Sequence, residues 1–134
     1  MPNTRLTMMA SSICLAAAGF ACLFAPEEAL RLLGMPGAGQ VLAQIVGALY
    51  LGNAAGNWTA RGSMIGGIYA RPLSVANFMH FVVGSAVLIK GIAPNTLNVP
   101  YIVLTLAYLV FAVLFVFMLW GRPGESARHD AGQR

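Results

Sequence analysis

Apolar residues fall into four long runs, at 6–25, 40–59, 72–91 and 99–120, and polar residues gather mostly between them. Each run has the length of a bilayer-crossing helix, roughly 20 residues. Arg5 precedes the first, as it would in a signal peptide. That run is long for a signal-peptide core and three more follow, so a retained first helix is expected. Pro26-Glu27-Glu28-Ala29-Leu30-Arg31-Leu32-Leu33-Gly34 then carries the marks of a short helix. Proline suits the first helical position, acids complement the N-terminal dipole and glycine suits the stop. Too short to span, the 26–34 segment is predicted to lie at the interface with its leucines towards lipid.

The second run holds the small residues. Ala48, Gly52 and Gly56 recur every fourth position and so share a face, including the GxxxG of Gly52-Asn53-Ala54-Ala55-Gly56. Such faces let helix backbones approach closely in lipid, where packing drives association. Arg61 and Arg71 bracket a turn with Gly62, Gly66 and Gly67, Pro72 opens the third run, and Gly91 and Pro94 close it. The fourth run is the most lipid-like, with Tyr101 and Trp120 near its ends where aromatic belts form.

Composition sharpens the class. With 58% hydrophobic and 9% charged residues, the chain lies far from the roughly 25% charged residues of soluble domains. At 134 residues it has room for one domain, and a soluble chain this short could not bury so much apolar surface. A bilayer is therefore the expected partner. Net charge is +4, yet the arginines stand singly between apolar runs and form no basic stripe, which excludes nucleic acid. With four spans, Arg5, Arg61, Arg71, Arg122, Arg128 and Arg134 share one side, and only Arg31 and Lys90 lie on the other. The positive-inside rule then makes both termini cytoplasmic. The fold predicted is an all-α integral membrane four-helix bundle over 1–121, followed by a polar cytoplasmic tail over 122–134.

Candidate chemistry concentrates between Val46 and Gly84. At about 1.5 Å per residue, counting from the turn puts Asn57 roughly 5 Å deep, Asn77 roughly 7 Å, Asn53 roughly 10 Å and His80 roughly 12 Å. An antiparallel hairpin would set Asn53 level with His80 and Asn57 level with Asn77. Tyr50, Asn53 and Asn57 share one helix face, and Asn77, His80 and Gly84 share another. Two roles stay open for this cluster. It is interhelical hydrogen bonding, at about 0.6 kcal/mol per contact, or a ligand site, since ionisable groups at membrane depth mark function. Arg61 and Arg71 would then meet an anionic headgroup.

Several chemistries are set aside. A bis-His haem needs two membrane histidines, and His129 lies in the tail; His80 alone leaves open a haem or chlorin held by one axial histidine. No Asp or Glu lies in any span, which leaves di-iron, zinc and carboxylate-driven export without ligands or proton carriers. Cys14 and Cys22 form neither a CxxC pair nor a zinc pattern and read as apolar filler. No cofactor is named by these residues. Asn57-Trp58-Thr59 matches a glycosylation sequon by chance, inside a helix.

Four short-looped helices, the Pro-Glu-rich segment after the first and the Gly/Asn-rich second helix resemble small bacterial membrane proteins of the DoxX-like kind. The likeness is architectural and covers most of the chain; the segment GGIYARP…NFMH carries no assigned activity. It implies a bacterial inner-membrane setting and an accessory role beside a quinone-linked oxidoreductase. The expected function is a non-enzymatic accessory or binding subunit for an apolar ligand, a lipid or a partner membrane protein, within a larger complex or a homo-oligomer. One alternative is a small oligomeric transporter or channel, which needs a continuous polar path. Another is a membrane enzyme using His80, for which no carboxylate in the spans orients the imidazole.

Overall fold

The computed structural model describes residues 3–62, 70–92 and 98–120, and all their regular elements are helices. They are α1 (Thr4–Phe24), α2 (Pro26–Leu32), α3 (Gln40–Ala60), α4 (Ala70–Lys90) and α5 (Val99–Trp120). The expected glycines Gly66 and Gly67, Pro94 and the 122–134 tail lie outside the described residues.

Local signals set the ends. Asn3 caps α1, its side-chain oxygen accepting from the backbone N–H of Arg5 at 3.1 Å. Pro26 starts α2, with Glu27 and Glu28 in the first turn and Arg31 in the last. It stops at Gly34, whose φ of +73° suits glycine. There Met35 N–H donates to the Leu30 carbonyl at 2.8 Å and Gly34 N–H to that of Arg31 at 3.0 Å. This is a Schellman motif. Asn98 joins the far ends: its amide donates to the Leu32 carbonyl at 3.0 Å, while its oxygen accepts from Tyr101 N–H at 3.0 Å to cap α5. The Gln40 side-chain amide donates to the Glu27 carboxylate, fastening α2 to α3.

Successive long helices run antiparallel, because partner numbers fall on one as they rise on the next. Ser12 meets Ala54 and Gly19 meets Gly47 between α1 and α3, and Gly84 meets Tyr108 and Gly91 meets Tyr101 between α4 and α5. The packing is pairwise. α1 lies closely along α3 and α4 along α5, while α3 and α4 touch more sparsely. Phe81 anchors the core at 2% exposure, stacked on Phe111 and Phe115 with ring centroids 5.0 and 5.7 Å away.

The distribution of polarity is inverted relative to a water-soluble domain. Leu42, Leu49, Val87, Val103 and Phe117 are each more than half exposed, whereas Thr7, Ser11, Ser12, Asn57, Asn77 and Thr105 are buried. Among the described residues three helices are long and apolar enough to cross a membrane: α1, residues 71–90 of α4, and α5. α3, which covers the expected second span, is not among them. Its length of 21 residues suffices, but Gln40, Gln44, Asn53 and Asn57 dilute its apolar character.

Candidate functional site

The polar residues assemble at two heights. Near the N-terminal end of α4, Asn57 and Asn77 form a reciprocal amide pair. Asn57 Nδ2 donates to Asn77 Oδ1 at 2.8 Å, and Asn77 Nδ2 donates back to Asn57 Oδ1. Asn57 also donates to Ser11 Oγ at 3.0 Å, and Ser11 passes its own proton to the Met8 carbonyl. Asn57 and Asn77 are 0% and 1% exposed. Every donor here is answered, and removing one member would strand its partner at about 1–3 kcal/mol. This cluster fastens α1, α3 and α4 together.

The second cluster sits seven residues along α3, about 10 Å away. Tyr108 Oη lies 2.6 Å from Tyr50 Oη and 3.2 Å from His80 Nε2, so one phenol links α3, α4 and α5. Gly84 makes this possible. A Cβ there would stand 2.5 Å from Cε1 of Tyr108, so the ring lies where a side chain would otherwise be. Phe81 meets the His80 ring edge-on at 5.0 Å and Tyr50 meets it edge-on at 5.5 Å, which holds the imidazole plane. Tyr50, Tyr108 and His80 each lie near the middle of their helices.

Beside this chain a groove of about 470 Å³ opens on the outer surface. Met79, Val83, Val87 and Leu88 of α4 and Leu104 of α5 give it apolar walls, and Tyr50, His80 and Tyr108 give it its polar groups. Such a site can hold an apolar body with one hydrogen-bonding end. Among the described residues no three His, Cys, Asp or Glu side chains gather to hold a metal ion.

Several expected positions move. Asn53 does not pair with His80; it is half-buried and has no hydrogen-bond partner among the described residues. The level partner of His80 on α3 is Tyr50, one helical turn earlier. Arg61 folds back over Trp58, its guanidinium 4.3 Å from the ring centroid and bonded to the Trp58 carbonyl, and Arg71 is exposed. Among the described residues neither arginine bonds either cluster, and Arg61 is held locally by its cation–π contact with Trp58. The small-residue face also turns. Ala48 and Gly52 are exposed, a Cβ at Gly52 would meet nothing within 4 Å, and Gly56 meets only the Leu73 side chain. The close crossing is at Gly47, where a Cβ would stand 2.8 Å from the Gly19 carbonyl. Moving one residue along a helix turns the face by about 100°.

Sequence reasoning passed over Ser11, Ser12 and Tyr108. Ser12 donates to the Ala54 carbonyl at 2.7 Å, and Ser11 completes the amide pair. The recurrence of Thr7, Ser11 and Ser12 with Gly19 along α1 is the signal that marks its packed face. Tyr108 has a plain signal too, as a phenol at mid-height in a largely apolar helix. It supplies the orienting partner that the spans offer no carboxylate to provide. Compared with protein-family models, with curated proteins and with solved structures, the chain finds no match in any of the three.

Proposed function

We propose that this chain is a multi-pass membrane protein, a four-helix bundle that binds an apolar ligand in the groove against α4 and serves a larger membrane assembly as a binding subunit. The observation that carries this is the groove itself, apolar along its walls and polar only at the Tyr50–Tyr108–His80 chain. The membrane setting, bacterial and inner by the architectural likeness, draws on the inverted polarity and on the three helices able to cross. α3 crosses as the fourth, its glutamines at the end beside α2 and its asparagines turned inward or half-covered. Among the described residues the two polar clusters are not continuous along α3, where buried Ala54 lies between Asn57 and Tyr50, and this favours a binding role over a channel.

The test is ligand retention. Purified in mild detergent, the protein is expected to carry a lipophilic molecule identifiable by mass spectrometry. Leu104→Trp, which fills the groove from α5, is expected to lose it with little change in melting temperature. Equal retention by both proteins would overturn the assignment of the groove.

Orientation has its own check. In a background free of Cys14 and Cys22, cysteines at Ser63 and Ser126 should be labelled only from the cytoplasm, and one at Ala38 only from outside. Alternating helix directions put Arg5, Arg61 and Arg71 at one end and Arg31 and Lys90 at the other, the charge bias that fixes topology. Reversed labelling would overturn the orientation.

A further inference from the structure

We infer that the groove takes a ligand ending in a single uncharged oxygen, a hydroxyl or a carbonyl, docked on the hydrogen-bond chain of His80, Tyr108 and Tyr50. The inference rests on the groove being a ligand site and names the chemistry of what enters it. Among the described residues no Asp, Glu, Lys or Arg lines the groove. A carboxylate, phosphate or ammonium placed there would lose its hydration with no opposite charge in reach. The polar end of the ligand is therefore neutral.

Proton counting says how it is met. Tyr50, Tyr108 and neutral His80 carry one exchangeable proton each, and the two links between them use two. Where Tyr108 accepts once and donates once, the third proton is left at one end; where it accepts from both neighbours, its own proton is the free one. In one arrangement Tyr50 donates to Tyr108, Tyr108 donates to His80 Nε2, and His80 Nδ1–H is free to donate. In the other, His80 Nε2–H donates to Tyr108, Tyr108 donates to Tyr50, the Tyr50 proton is free, and Nδ1 accepts. The two differ only in hydroxyl rotation and imidazole tautomer, with no net charge. Nδ1 has no hydrogen-bond partner among the described residues, and no buried side-chain nitrogen or oxygen is left unpartnered. It therefore opens outward rather than into the core. A carbonyl is answered by the first arrangement, and a hydroxyl by either. One oxygen suffices, because the remaining wall offers only apolar surface.

The test uses the full chain in phosphatidylcholine nanodiscs with tritiated 1-tetradecanol as the probe. Unlabelled tetradecanol and 2-tetradecanone are expected to compete with similar strength. Tetradecane, ionised tetradecanoate and tetradecyltrimethylammonium are expected to compete about tenfold more weakly, the scale of one neutral hydrogen bond. This ranking needs no variant. His80→Phe removes the nitrogen left free for the ligand and should weaken tetradecanol about tenfold while leaving tetradecane unchanged. If tetradecane or either ion competes as well as the alcohol, or if His80→Phe binds the alcohol normally, the oxygen-specific dock is overturned and the groove survives as an apolar site. If tetradecanol does not bind saturably, or binds Leu104→Trp as it does the parent, the groove assignment falls and the dock with it.

Discussion

Gly47→Leu should be the most damaging single substitution in α3, with Gly52→Leu close to neutral. At Gly47 a Cβ would lie 2.8 Å from the Gly19 carbonyl oxygen and 3.0 Å from the Leu23 nitrogen. Both are backbone atoms of α1 and cannot rotate away. At Gly52 nothing stands within 4 Å. Overpacking a close core contact costs typically about 1–3 kcal/mol, and a leucine between two backbones belongs at the upper end or beyond. Separating α1 from α3 would also pull Ser12 off Ala54 and Ser11 off Asn57. The melting temperatures of the two variants in detergent decide the matter. Equal values would mean that the close crossing is not at Gly47; a lower melt for Gly52→Leu would place it at Gly52.

Gly84→Val should disable the ligand site more than it weakens the fold. The new side chain would start 2.5 and 2.7 Å from ring carbons of Tyr108, which must shift by about 1 Å to reach ordinary contact. Tyr108 is buried against Phe81 with centroids 5.2 Å apart, so the ring cannot swing freely. Its hydroxyl would leave both Tyr50 and His80 together. The expected result is loss of the bound lipophile together with a lowered melt, about 1–3 kcal/mol from overpacking. Tyr108→Phe separates the two effects, since it deletes the hydroxyl and keeps the ring. Retention of the lipophile by Gly84→Val would place the ligand away from Tyr108.

Comparison of these glycines shows what the sequence could and could not disclose. The helical class was legible, because four apolar runs of about 20 residues separated by Gly, Pro and charge admit few alternatives. Gly34 and Pro26 bounded α2 for local reasons that need no tertiary partner. Residue counting from the turn placed Asn57 level with Asn77, and their amides do meet. The face that α3 turns inward was not legible. Ala43 and Gly47 offer one small-residue stripe and Ala48, Gly52 and Gly56 another, and nothing in α3 itself ranks them. The choice is made on α1, whose Gly19 and serines fit the first stripe. Tyr108 escaped because a phenol in an apolar helix reads as bulk until a second polar group is known to stand opposite. Arg61 was misplaced because Trp58, one turn earlier, satisfies it first.

The sparse seam between the two helix pairs works as a pair of locating pins. Each pair is held by close contacts along its length, backbone against backbone at Gly19 and Gly47 in one and ring against glycine at Tyr108 and Gly84 in the other. The seam is crossed by the Asn57–Asn77 amides at one height and by Tyr108 at another, about 10 Å along α3. One pin would let the halves pivot, whereas two at different heights fix both slide and tilt. Neither bond tolerates a shift of a single residue, because the next positions along α3, Trp58 and Leu51, offer no matching side-chain group. The alignment of the halves is therefore all-or-none. The same phenol that aligns them also forms the polar end of the groove, so the site is complete only when the halves are seated.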